Sequence, residues 1–122
     1  MDEAQFVLKV RFYRTDAGAE PVRQWLLRQT DDVKKRIGED IKTVQYGWPM
    51  GMPLVRSLGD GLREVRSTVA GVEFRVAFVA QDGEMVLLHA FVKKAQTEPE
   101  EVGLAKKRAR SLTSGGTQQE NE

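Results

Sequence analysis

The chain has 122 residues with no cysteine and one histidine, and its 19 Lys and Arg nearly balance its 18 Asp and Glu, for a formal net charge of +1. This length suffices for one modest hydrophobic core, so a single domain is expected. The absence of cysteine excludes disulfides and thiolate metal sites, and one histidine leaves too few ligands for zinc; neither a metal nor a cofactor is expected. No apolar run approaches the roughly 20 residues of a membrane span and no signal peptide is recognisable, which predicts a cytoplasmic protein with no membrane partner.

The sequence predicts a strand near the N-terminus and then two helices in hairpin. Residues 5–13 alternate apolar and charged side chains, the period of a half-buried strand with Phe6 on its apolar side. Pro21 suits the first turn of a helix because its missing N–H would have no partner there. Thr30, followed by two aspartates, indicates the start of a second helix. Its apolar stripe is formed by Val33, Ile37, Ile41 and Val44.

An antiparallel meander of three strands is predicted after the segment 46–53, in which two prolines and two glycines break the second helix. The apolar period changes to two in the segments 62–69, 72–79 and 84–92. Ala70-Gly71 separates the first two of these strands, and Asp82-Gly83 before the third is a strong hairpin signal.

A C-terminal helix is predicted to begin near Pro99, because Thr97 and Glu100 have the spacing of a capping box. The polar segment 113–122 is expected to be a disordered tail. The prediction is therefore one α+β domain over residues 1–112, in which helices pack on one face of a mainly antiparallel sheet.

The other face of the predicted sheet is polar and carries opposed arginines. If Ala70-Gly71 is a two-residue loop, Arg66 stands directly opposite Arg75, and like charges in that position repel. Such a pair is tolerated if Glu64 and Glu73 neutralise it, which is ordinary on a solvated sheet face, or if an anion binds between the arginines. Both interpretations stay open on the sequence alone.

The last strand runs into two lysines at the rim of this face. Lys93 and Lys94 are either mobile charges for phosphate or ordinary solubilising residues at a strand end. The alternation of side chains extends the polar face to Lys94, with Ala90 as a small floor residue. The same alternation puts His89 on the apolar face, where it is expected to be a structural, hydrogen-bonded residue.

Several short motifs follow one another in a fixed order along residues 6–110. They are Pro21-Val22 with Trp25-Leu26, Gly51 with Pro53, Leu58 with Gly61-Leu62, Glu64 with Arg66, Phe74-Arg75-Val76, and Leu88-His89 to Lys94 followed by Gln96 and Pro99. In order and spacing this pattern resembles the RelE/HigB-type toxins of bacterial toxin–antitoxin pairs, in particular their phage-derived branch.

The resemblance implies a metal-independent endoribonuclease, an mRNA interferase that cuts mRNA on the ribosome and inhibits translation, and whose partner is a helix-turn-helix antitoxin. In such enzymes the ribose 2′-hydroxyl attacks the adjacent phosphate, and cations stabilise the developing charge. By position, the resemblance implies catalytic roles for four residues, namely Arg66, Arg75, Lys93 and Lys94. It implies nucleic-acid binding by Arg56, Arg63 and Lys94.

Two departures from the family pattern keep other functions open. The C-terminal helix has no tyrosine or histidine to act as general acid or base, and Arg63 replaces the usual aromatic residue after Gly61-Leu62. The first alternative is a ParE-like toxin, which shares the fold but inhibits DNA gyrase by binding. The second is a non-enzymatic interaction module.

Overall fold

The protein, analysed as a computed structural model, is described for residues 7–94 and 98–120, with side chains described as far as Leu112. Its elements in chain order are β1 (Lys9–Phe12), α1 (Pro21–Leu27), α2 (Asp31–Gly47), β2 (Val55–Gly59), β3 (Leu62–Val69), β4 (Val72–Gln81), β5 (Glu84–Val92) and α3 (Glu98–Glu120). The predicted α+β fold, with its helical hairpin, its meander and its C-terminal helix, is confirmed.

The strands form one five-stranded sheet in the order β1-β5-β4-β3-β2. β1 runs parallel to β5, whereas every other neighbouring pair is antiparallel. The sequence did not predict β2, which follows the Pro- and Gly-rich segment directly and has only one buried residue, Val55. A strand with a single buried side chain has no apolar period to detect.

The turn between β3 and β4 sets the register on which the site depends. It consists of Ala70 and Gly71, whose φ angles of 51° and 79° lie in the left-handed region. Positive φ at both central residues defines the two-residue hairpin turn whose twist matches that of the strands. The turn pairs Val69 with Val72, so the predicted register of this hairpin is confirmed.

The hydrophobic core lies between the sheet and the helical hairpin. The four residues of the predicted α2 stripe are all buried, together with Val22 of α1. They pack against apolar residues of the sheet, including Val65, Phe74 and Phe78.

A second apolar cluster lies on the opposite side of the sheet, where α3 packs through Ala105 against Leu62, Val79 and Leu88. The expectation that helices cover one face alone did not include this layer. Alanine at the contact lets the helix approach the strands closely. α3 therefore shields part of the face that the sequence analysis left open to solvent.

A β-bulge in β5 changes which side chains share a face. Ala77 pairs with His89, whereas the next residue, Phe78, pairs with Leu87, so Leu88 is an extra residue opposite β4. One extra residue reverses the alternation beyond it. Ala90 consequently packs in the core with α1 and α2. The prediction that His89 faces this core, with Ala90 on the polar face, is wrong for this reason.

The structure describes the two ends of the chain only in part. α3 is assigned as far as Glu120, while the domain limits and the disordered tail expected for residues 113–122 stay predictions. Phe6 and Thr97, which the sequence analysis assigned to the first strand and to a capping box, lie outside the described residues. Within residues 7–94 and 98–120, no helix is long and apolar enough to cross a membrane.

Replacing Phe78 by alanine tests the core assignment. Phe78 is fully buried and meets Trp48 edge-on, with ring centroids 5.7 Å apart. We expect Phe78→Ala to lower the free energy of unfolding by about 3–5 kcal/mol, measured by urea denaturation. The control Val72→Ala, at a residue 41% exposed, should cost less than about 1 kcal/mol. Equal losses in both variants would contradict the assignment.

Candidate functional site

Alternation along the strands brings five charged residues to one side of the sheet, which we call the polar side. They are Arg56 of β2, Glu64 and Arg66 of β3, and Glu73 and Arg75 of β4. Arg66 stands directly opposite Arg75, as the two-residue turn predicted. Lys93 joins this side because the bulge reverses the alternation, and its backbone N–H donates to the Glu73 carbonyl at 2.8 Å.

Arg75 is locked in place between two carboxylates. It is 1% exposed, and its Nη2 donates to Glu73 Oε1 at 2.7 Å while its Nε lies 3.5 Å from Glu64 Oε2. A third contact, from Nη1 to the Phe74 carbonyl oxygen at 3.1 Å, completes its surroundings. Arg75 therefore ties β3 to β4 from within the fold, and its guanidinium has little access to an incoming ligand.

Glu64 is the buried acid of this group. Its exposure is 0%, and neither carboxylate oxygen has a hydrogen-bond partner among the described residues. Burial raises the pKa of Glu64, and the neighbouring Glu98 of α3 raises it further, although Arg75 opposes both effects. Arg56 lies nearby, with its Nη1 3.9 Å from Glu64 and 3.6 Å from Glu98. Arg56 is thereby shared between two acids.

Arg66 differs from the other two arginines on the polar side. Its Nη1 contacts the Met52 sulfur at 3.5 Å, and its buried Nε, like that of Arg75, has no hydrogen-bond partner among the described residues. Among the residues that the structure describes, no carboxylate lies within salt-bridge distance of it. A guanidinium with unused donors binds an anion at lower cost than one that must first leave a carboxylate.

A pocket opens beside Arg66 at the edge of the sheet. The pairing of β2 with β3 starts at Val55 and Val65, so the end of β3 beyond Arg66 forms the sheet edge. The backbone N–H of Arg66 donates to the Leu54 carbonyl oxygen at 2.9 Å. Beyond this bond, β3 has no partner strand on that side in the described part of the chain. The cavity, of about 330 Å³, is lined by Arg36, Asp40, Pro53, Leu54, Arg66, Thr68 and Glu73. We call it the edge pocket.

The two acids of the edge pocket are each held by another residue. Asp40 Oδ2 accepts a hydrogen bond of 2.6 Å from Ser67 Oγ and lies 3.4 Å from Arg36 Nε. Glu73 accepts from Arg75, and this bond lowers the pKa of Glu73, so its carboxyl group stays ionised in mild acid. Among the described residues, no three acid or histidine side chains are grouped so as to hold a metal ion.

Arg36 and Asp40 were not predicted as site residues from the sequence. They lie one turn apart on α2, and only the apolar stripe of that helix was used to interpret it. Their spacing of four residues indicates a helix-surface ion pair, which is common and gives no sign of a pocket.

Two residues assigned to nucleic-acid binding lie elsewhere. Arg63 alternates to the opposite side of β3, where its guanidinium covers the Trp48 ring at 4.9 Å from the centroid. Lys94 lines a different pocket, together with Trp25 and Glu101. The structure therefore brings together Arg56, Arg66, Arg75 and Lys93, but not Arg63 and Lys94.

His89 connects β5 to α3. Its Nε2 pairs with the Glu101 carboxylate, and its Nδ1 lies 3.4 Å from Nη1 of Arg108, which also donates to the Leu88 carbonyl oxygen at 2.8 Å. The ring stacks on Phe91, with centroids 5.6 Å apart. Both ring nitrogens face α3, so the histidine is hydrogen-bonded, as expected, but on the side of the sheet opposite to the predicted one.

Removing the Glu64 carboxylate tests the buried ion pair. Glu64→Ala leaves Arg75 buried with one carboxylate partner fewer, and we expect the free energy of unfolding to fall by about 3 kcal/mol. Glu100→Ala, at an exposed position in the first turn of α3, is the matched control and should cost less than about 1 kcal/mol. Urea denaturation followed by circular dichroism measures both. A Glu64 variant as stable as its control would show that the pair contributes nothing.

Comparison with known protein families matches residues 24–110 to one family, described as phage derived protein Gp49-like (DUF891). The matched range includes every residue of the edge pocket and of the polar side. A search of curated proteins finds no match. Since the family match covers most of the sequence, the chain belongs to the phage-derived Gp49-like family, a family of RelE-like toxins.

Proposed function

We propose that this protein is the toxin of a toxin–antitoxin pair and that it cleaves mRNA on the ribosome without a metal ion, under the control of a helix-turn-helix antitoxin. Membership of a RelE-like toxin family supports the toxin role. The observation that carries the nuclease role is the guanidinium of Arg66, which lines the edge pocket and has no carboxylate within salt-bridge distance among the described residues.

The proposed reaction is an internal transesterification of RNA. The ribose 2′-oxygen bonds to the adjacent phosphorus, the bond from phosphorus to the 5′-oxygen breaks, and the 2′-proton passes to a base while the leaving oxygen takes up a proton. Negative charge builds on the phosphate oxygens at the transition state. A planar guanidinium with free donors stabilises that charge, which is often the largest single contribution to catalysis.

Glu73 is the base that we assign to this reaction. It lines the edge pocket together with Arg66, and its side chain is 47% exposed, so a bound ribose can reach it. The hydrogen bond from Arg75 lowers the pKa of Glu73, and Arg66 and Lys93 lower it further. The group is therefore ionised and able to accept a proton at neutral pH, although its low pKa makes it a weak base.

The remaining cations have supporting roles in the proposal. Lys93 and Arg56 add positive charge to the polar side near Arg66, while Arg75 holds Glu73 in place. Lys94 and Arg63, which lie outside this group, would contact RNA or ribosome away from the cleaved bond. Phosphate contacts of that kind fix the position of an RNA strand without reading its sequence.

A second candidate function is binding-based inhibition of DNA gyrase, as in ParE-like toxins. The observation in its favour is that α3 packs over part of the polar side and places the acid Glu98 beside Arg56. Both features reduce the cationic surface that a nuclease would offer to RNA. Toeprinting on translating ribosomes separates the two candidates, because a gyrase inhibitor leaves no new mRNA ends.

Arg66→Ala should abolish growth inhibition when the toxin is expressed. Loss of one donor to a developing oxyanion typically lowers a rate by about 100- to 1000-fold, and ribosomal mRNA cleavage measured by toeprinting should fall by that order. Arg66→Lys keeps the charge but loses the planar fork, so we expect an intermediate loss.

Arg28→Ala is the matched control, because Arg28 is exposed at the end of α1, away from the polar side. It should leave cleavage unchanged. Thermal melting and co-purification with the antitoxin establish that each variant is folded. A folded Arg66→Ala variant with full toxicity would contradict the assignment of this site.

A further inference from the structure

The edge pocket offers more than a phosphate site. Arg36 and Thr68 supply hydrogen-bond donors, Asp40 supplies an acceptor, and Pro53 and Leu54 supply apolar surface. A pocket made only for phosphate would be lined by donors, because phosphate oxygens accept hydrogen bonds and are repelled by carboxylates. Donors and acceptors together, between apolar walls, fit the edge and the flat faces of a nucleobase instead.

Asp40 has one oxygen engaged and one available. Its Oδ2 receives both the hydrogen bond from Ser67 and the contact with Arg36. No partner for Oδ1 is found among the described residues, although the carboxylate lies in the pocket with its side chain only 13% exposed. The serine therefore fixes the orientation of a carboxylate whose second oxygen can accept hydrogen bonds from a ligand.

Arg36 stands beside this acceptor. Its Nε is 3.4 Å from Asp40 Oδ2, and its side chain is 55% exposed, so its terminal nitrogens can turn toward a ligand. The pocket thus presents a forked donor and a carboxylate acceptor side by side. This pairing selects a base that carries acceptors next to donors along its rim.

We propose that the edge pocket recognises a guanine base in the nucleotide next to the phosphate bound by Arg66, an inference that rests on the proposed function. Guanine presents O6 and N7 as acceptors, which arginine binds in a bidentate manner. Its N1–H and exocyclic amino group are donors that fit the Asp40 carboxylate. Adenine carries an amino group, a donor, where guanine has the acceptor O6, so this group would face the donors of Arg36. Adenine also lacks the N1–H that would donate to Asp40.

The geometry also defines where the base lies along the RNA. Arg66 belongs both to the polar side and to the lining of the edge pocket. A phosphate on Arg66 therefore leaves its neighbouring nucleotide at the pocket, with Pro53 and Leu54 available to pack against the base. Arg36 and Asp40 are specificity-determining residues in this arrangement, and neither takes part in the bond-breaking step.

The test is the affinity of the purified toxin for short single-stranded RNAs that carry 2′-deoxy substitutions to prevent cleavage and that differ only in one guanine or adenine. Fluorescence anisotropy should give at least about tenfold tighter binding to the guanine probe. Arg36→Ala and Asp40→Asn should each reduce that ratio to about twofold or less. Lys35→Ala, at an exposed α2 residue outside the pocket lining, should preserve it.

Asp40→Asn alters the hydrogen bond with Ser67, so thermal melting of each variant checks that its stability is retained. Arg36→Ala tests the pocket without changing either partner of that bond. Equal or undetectable binding of the two probes by the unaltered protein would overturn the inference, as would a guanine preference that survives both substitutions. Toeprinting of the unaltered toxin tests the proposed function separately. New mRNA ends without a guanine preference reject the pocket assignment alone, whereas a guanine preference without new ends rejects the nuclease alone.

Discussion

The site depends on the burial of Arg75 between Glu64 and Glu73. Two arginines opposite each other on neighbouring strands repel, and the fold resolves the conflict by giving both nearby carboxylates to one of them. Taking these charges out of water is costly, and the raised pKa of Glu64 reflects that cost. The consequence is an asymmetry: Arg75 becomes part of the framework, whereas Arg66 has no carboxylate partner among the described residues.

The second layer formed by α3 strengthens this asymmetry. α3 packs on the polar side and ties to β5 through His89, and its Glu98 pairs with Arg56. The cationic surface is thereby reduced from a broad face to the rim around Arg66, next to the edge pocket. Under the proposed function, a small rim beside a pocket suits one nucleotide and its phosphate better than a long stretch of RNA.

The sequence predicted those features that local patterns encode. The α2 stripe is buried as predicted, and the turn at Ala70-Gly71 places Arg66 opposite Arg75 without further information. The bulge at Leu88 is different, because no glycine or proline marks it and the side chains of β5 pack into apolar clusters on both sides of the sheet. The edge pocket cannot be seen in the sequence either, since Arg36 and Arg66 line the same cavity only because α2 packs against β3. Tertiary packing, rather than local sequence, determines both.

The most direct test of the asymmetry is an NMR titration of the arginine side-chain Nε–H signals with a cleavage-resistant, 2′-deoxy-substituted oligonucleotide. If Arg66 is the guanidinium that meets RNA, its Nε–H signal should shift in proportion to bound oligonucleotide. The Nε–H signal of Arg75 should stay in place because Glu64 and Glu73 enclose that group. A shift of Arg75 with none at Arg66 would contradict the account.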